Sequence, residues 1–144
     1  MIGIIVTGHG NFATGITSSL ELIAGPQTNY QAVDFLKNYS QEDLKIALNK
    51  AITTLNCEDI LIFSDLAGGT PFKTAVEIKF ALANKLNIEV IAGTNLPTVI
   101  ETVMSKNYVN SLTELTNAAI NIAKEQVLKY EFIAHQENDD EEGI

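Results

Sequence analysis

Arginine is absent from this chain, and its nine lysines face 18 acidic residues for a formal charge of −9. Nucleic-acid binding rests on neutralising backbone phosphates, so an acidic chain without guanidinium groups is expected not to bind it. The bidentate guanidinium clamp of many enzymes that grip phosphate-rich substrates is missing too. Cysteine occurs once, as Cys57, which excludes an internal disulfide framework and a multi-cysteine metal site. Histidine occurs only at His9 and His135, and these two share no zinc-ligand spacing with Cys57. No apolar run approaches the roughly 18 residues of a membrane span. Met1-Ile2-Gly3-Ile4 has no basic stretch ahead of its apolar run, unlike a secretory signal. A soluble, cytoplasmic protein is expected.

What is present is a globular composition, 46% hydrophobic and 19% charged over 144 residues, enough for one core. The acids are unevenly placed. Five of them fall in the last ten residues, His135 to Ile144, leaving nine lysines against 13 acids in residues 1–134. The chain therefore reads as one domain over 1–134 and a solvated, disordered acidic tail over 135–144, with His135 a solvated residue beside it.

Apolar runs and helical stripes alternate along the domain. Ile2 to Val6 is continuously apolar, as in a strand buried on both faces, and ends at Thr7-Gly8. Phe12, Ile16, Leu20 and Ile23 recur at helical spacing before Gly25-Pro26. Tyr30 to Phe35 alternates, which suits a strand nearer a sheet edge. Ser40 to Asp43 resembles a helix start, with Leu44, Ala47, Leu48, Ala51, Ile52 and Leu55 as the buried stripe. Ile60 to Ser64 reads as a central strand. Pro71 opens a helix carrying Phe72, Ala75, Val76 and Ala83, and Ile88 to Ala92 is a fourth strand. A short helix follows Leu96-Pro97, and Ser111-Leu112-Thr113-Glu114 is a capping box for a last helix reaching towards Leu128. Tyr130 to Ala134 is a candidate for a further, peripheral strand. Cys57, Met104 and the phenylalanines are expected in the core.

Strands alternating with helices of this length require parallel pairing and right-handed crossovers, so the expected class is α/β, a three-layer sandwich. The most apolar strands are the first, third and fourth, which predicts the order 2-1-3-4. Such a sheet reverses its winding between strands one and three, and ligands sit outside the carboxyl ends of the strands at that point. Two loops lie there, Thr7-Gly8-His9-Gly10 and Asp65-Leu66-Ala67-Gly68-Gly69-Thr70.

The first loop offers His9 between two glycines that leave the imidazole open to a large partner. Asp65 ends the neighbouring strand, about 4.8 Å away in a parallel sheet. A carboxylate there can accept the Nδ1–H of His9 and leave Nε2 as the nucleophile, or it can cap the following turn. Thr70 fits the N-cap of the next helix and Pro71 its first position. Gly68 and Gly69 let backbone amides approach a phosphoryl group at that helix N-terminus, or serve a tight turn that binds nothing. Together they suit phosphoryl transfer through a histidine, without a metal or other cofactor, and positioning is most of what that reaction asks. No G-x-x-x-x-G-K-[ST] loop points to a nucleotide donor. A protein with its own phosphohistidine fits better.

Val6-Thr7-Gly8-His9-Gly10, Phe63 to Phe72 and Val90 to Pro97 resemble the mannose-type enzyme IIA of the bacterial phosphoenolpyruvate-dependent sugar phosphotransferase system, and the likeness spans about Ile2 to Leu128. The resemblance implies a phosphotransferase in which His9 accepts phosphate on Nε2 from the phosphocarrier HPr. It then passes the group to a histidine of a cognate enzyme IIB, coupled to the membrane components IIC and IID for sugar uptake. It further implies that Asp65 partners His9, that Gly68, Gly69 and Thr70 line the phosphate site, and that Asn95 helps to shape the partner surface. A homodimer with a crossing C-terminal strand is implied as well, with Tyr130 to Ala134 as the candidate. Some relatives continue through a linker into a IIB domain; the acidic tail implies that IIB is met as a separate polypeptide.

Three rivals share parts or all of this pattern. Gly8-His9-Gly10-Asn11-Phe12-Ala13 satisfies the permissive dinucleotide fingerprint, with Asp34 about 20 residues on as the ribose acid. A receiver domain also ends its third strand in a phosphorylated aspartate, here Asp65, but needs an acidic pair where this chain has Gly8-His9. A regulatory module that only senses phosphorylation would use the same residues.

Overall fold

The computed structural model describes residues 1–134; the predicted acidic tail and His135 lie outside the described residues. The elements run β1(Ile2–His9), α1(Phe12–Ala24), β2(Tyr30–Phe35), α2(Gln41–Leu55), β3(Asp59–Ser64), α3(Thr70–Ala81), β4(Asn87–Ile91), α4(Leu96–Ser105) and α5(Leu112–Lys124). All strand pairings are parallel, and the sheet order is β2-β1-β3-β4. The fold is thus the predicted α/β architecture with the predicted order.

Alternation along the strands divides the core in two. Ile2, Ile4 and Val6 of β1 pack with Leu61 and Phe63 of β3 against Leu20, Val99 and Leu115, under α1, α4 and α5. Ile5 and the β3 residues Ile60 and Ile62 face Leu44, Leu48, Ile52 and Ile78, under α2 and α3. Helices on both faces of a parallel sheet give the three layers. Ser40 caps α2 through a complete capping box with Asp43. At α5 the box is shifted: Ser111 Oγ accepts from the Glu114 N–H, but the Glu114 carboxylate takes the N–H of Asn110. Among the described residues no helix is long and apolar enough to cross a membrane.

Several predicted details change. β1 runs on to His9, because Gly8 and His9 pair with Asp34 and Phe35 of β2. Cys57 is buried, but Ile23 and Met104 are exposed. The α1 stripe continues at four-residue spacing through Ile16, Leu20 and Ala24, which turns Ile23 outward. Met104 follows the inward-facing Val103 by one position, off the buried face of α4. Of the phenylalanines, Phe63 is fully buried while Phe80 and Phe132 are exposed.

The last helix stops at Lys124, short of Leu128. Tyr130 to Ala134 form no strand among the described residues. A strand needs a neighbour's backbone to pair with, and this stretch is not hydrogen-bonded to either edge strand, β2 or β4. Its large side chains, Tyr130, Phe132 and Ile133, are exposed, as are Val127 and Leu128 before it. At the other end of the sheet Lys106 is buried, its Nζ donating to the carbonyls of Thr28 (2.8 Å) and Asn29 (3.4 Å), and burial pushes its pKa down. This lysine ties the end of α4 to the loop that enters β2.

Candidate functional site

The site grows from the carboxyl ends of β1 and β3. Thr7 pairs with Ser64, so Asp65 emerges beside His9. Its Oδ2 accepts two hydrogen bonds from that one residue, from the backbone N–H at 2.9 Å and from Nδ1 at 2.7 Å. Oδ1 accepts from the N–H of Leu66 at 2.9 Å. The Asp65 side chain is 10% exposed and that of His9 47% exposed. Burial alone would raise the Asp65 pKa, but the hydrogen bonds from His9 and Leu66 outweigh it and hold the carboxyl below its ordinary range. An ionised carboxylate only accepts, so Nδ1 carries a ring proton, and in the neutral ring the lone pair falls on Nε2.

The N-terminus of α3 faces that lone pair. The chain turns at Gly68, with φ at +83°, and Gly69 is the N-cap, extended at φ −81° and ψ 173°. Thr70 is therefore the first helical residue and not the predicted cap, and Pro71 is the second. The shift follows from the bend: once Gly68 has turned the chain, Gly69 already has the extended geometry of a cap. No side chain caps the helix. A Cβ on Gly69 would lie 2.8 Å from Cε1 of His9 and 3.4 Å from Nε2, so bare backbone packs against the reactive edge of the ring. Free amide dipoles at a helix start favour an anion there. Thr70 lends its carbonyl to Thr74 Oγ1. Asn95 caps α4, its Oδ1 accepting from the N–H and hydroxyl of Thr98.

β2 closes the other flank, which the sequence reading missed. Phe35 is the register partner of His9, and its carbonyl accepts the Gly10 N–H at 2.8 Å. The Phe35 and His9 rings meet edge to face, centroids 5.8 Å apart and planes at 68°. Before it, Asp34 accepts from the Thr14 N–H (2.9 Å) and hydroxyl (2.6 Å), capping α1 from across the gap while Asn11 makes no cap of its own. No local motif signals this role. The only hint was a β2 long enough to reach past the apolar run of β1.

These contacts speak against the dinucleotide and receiver readings. A dinucleotide would need the α1 N-terminus for its pyrophosphate and Asp34 for its ribose, and the two already satisfy each other. A receiver aspartate must offer a free oxygen, whereas both oxygens of Asp65 are engaged.

Residues 3–120 match the family EIIA-man, PTS system fructose IIA component. The chain belongs to this family. It is 32% identical over 127 residues to the PTS system mannose-specific EIIAB component of Escherichia coli K12, covering 88% of this chain and 38% of that protein. The chain thus spans well under half the length of that relative. Against the PTS system fructose-specific EIIA component of Bacillus subtilis 168 the identity is 26% over 148 residues, covering 98% and 99% of the two chains. The crystal structure of the phosphotransferase system component EIIA from Streptococcus agalactiae is 34% identical, with a TM-score of 0.84 over 90% of this chain and 97% of that one. For a PTS IIA chain, the resemblance carried by the His9, Asp65 and Asn95 segments is therefore the right one.

Proposed function

We propose that this PTS IIA chain is a cytoplasmic phosphohistidine carrier, accepting a phosphoryl group on His9 from HPr and passing it to a cognate enzyme IIB for sugar uptake through IIC and IID. The observation that carries this reading is the 2.7 Å contact between Asp65 and His9 Nδ1, which commits one ring nitrogen and leaves the other facing the uncapped start of α3. The names of its relatives refer to mannose, fructose and sorbose, sugars that belong to those proteins.

The chemistry follows from that arrangement. The Nε2 lone pair attacks phosphorus, the bond between phosphorus and the donor imidazole breaks, and the donor nitrogen leaves with its electron pair. The His9 ring, still protonated at Nδ1, becomes cationic, and the Asp65 carboxylate at 2.7 Å stabilises that charge. Amides of Gly69 and Thr70, with the turn at Gly68, receive the phosphoryl oxygens. Transfer to enzyme IIB reverses these steps. The protein is a homodimer in this reading, its exposed segment from Val127 to Ile133 covered by the partner subunit.

The test is phosphate transfer from phosphoenolpyruvate through enzyme I and HPr, read by intact mass and radiolabel. The adduct should be lost in acid, survive alkali and be absent from His9→Ala, with the fold of that variant intact. A label that persists in His9→Ala removes His9 from the mechanism. An alkali-labile label would move the phosphate to Asp65.

A further inference from the structure

Resting on His9 as the phosphoryl acceptor, we propose that Phe35 is a positioning residue, a brace that holds the His9 imidazole in the orientation its partners require. The ring needs one. Rotation about the bond joining an imidazole to its Cβ is a broad torsion, poorly fixed by local sterics. Nearly half of this side chain is open to solvent, so packing on the outer side supplies no restraint. A single side-chain hydrogen bond, to Asp65, sets the position of Nδ1 and still lets the ring pivot about that contact.

The sheet order supplies the missing support. β1 lies between β2 and β3, so Phe35 and Asp65 reach His9 from opposite sides. Asp65 grips Nδ1; the Phe35 ring blocks the pivot with an edge-to-face contact at 5.8 Å. With Gly69 packed against Cε1 and Nε2, the imidazole is confined on three sides. The brace is itself anchored. The Phe35 carbonyl holds the Gly10 N–H, fixing the backbone just after His9, and the neighbouring Asp34 locks β2 to the first turn of α1. Nothing in this arrangement requires Phe35 to touch phosphate.

Phe35→Leu keeps an apolar side chain and removes the aromatic ring, while Phe35→Tyr restores the ring. Two readouts apply to the full chain. The first is the ¹⁵N spectrum of the His9 ring, which reports the proton on Nδ1 and involves no phosphoryl transfer. The second is kcat and KM for phospho-HPr. In Phe35→Leu the ring signals should move towards averaged tautomers and kcat should fall ~10-fold to 100-fold, as small misplacements of a reacting group do. KM should change little, the backbone amide spectrum away from the site should stay native, and Phe35→Tyr should recover both readouts. Native ring signals with a raised KM would make Phe35 a docking residue and overturn the proposal, as would a native kcat. Should wild-type protein take no phosphate from HPr, the carrier reading fails by itself, and the ring spectra still decide whether Phe35 orients His9.

Discussion

At the scale of residues, the site depends on Asp65 taking the backbone N–H and the ring Nδ1–H of one histidine with a single oxygen. That double grip ties the imidazole to its own main chain. Asp65→Ala releases it, and transfer should slow by ~100-fold, the scale of a lost positioned proton partner, while His9 stays the acceptor. Unchanged transfer would reduce Asp65 to a turn cap. The same hydrogen bonds make the pair sensitive to acid. Because they hold the folded pKa below its ordinary range, the unfolded chain takes up its proton first. The stabilisation is complete above the ordinary aspartate range and is lost as pH falls through the lower, folded pKa. Urea unfolding of Asp65→Asn against pH should therefore show a weaker acid-side decline than wild type; identical slopes would sink this assignment. The pairing was legible because two parallel strand tips must lie side by side. Phe35 was not, since its role depends on β1 and β2 pairing past the apolar run, which no local pattern encodes.

Among the elements, the turn into α3 separates two glycines that look equivalent in sequence. Gly69 has an ordinary extended backbone, and what a side chain there would meet is the imidazole, 2.8 Å from Cε1. Gly68 has open space around it but a left-handed φ of +83°. Their alanine variants should fail in opposite ways. Gly69→Ala should displace His9 and cut phosphate acceptance at least ~10-fold with a near-native denaturation midpoint. Gly68→Ala should lower stability by about 1 kcal/mol while the imidazole keeps its environment. Paired melts and labelling rates check this, and matching losses in both variants would refute the division. The helix was readable from Pro71 and its apolar stripe. Its first residue was not, because Thr70 offers a hydroxyl suited to capping, while the bend at Gly68 places the extended residue one position earlier.

For the whole molecule, the sheet order followed from strand apolarity, since only buried strands can be continuously hydrophobic. The C-terminal segment resisted the same reading, because Tyr130 to Ala134 pair with no strand among the described residues. Both core clusters are complete by Ala119, so a chain ending at Gln126 retains them. In the proposed dimer, that truncation should leave the fold intact and shift sedimentation from dimer to monomer. A truncated chain that still dimerises would take Val127 to Ile133 out of the interface. The openness of the site has its own consequence. His9 is 47% exposed at the rim of the sheet, and none of the described residues closes over it. In the proposed role its phosphorylated form is a perishable store. Water competes with enzyme IIB for the same bond, so idle protein discharges itself. The fraction charged at any moment then follows the current upstream supply, with little memory of the supply that came before.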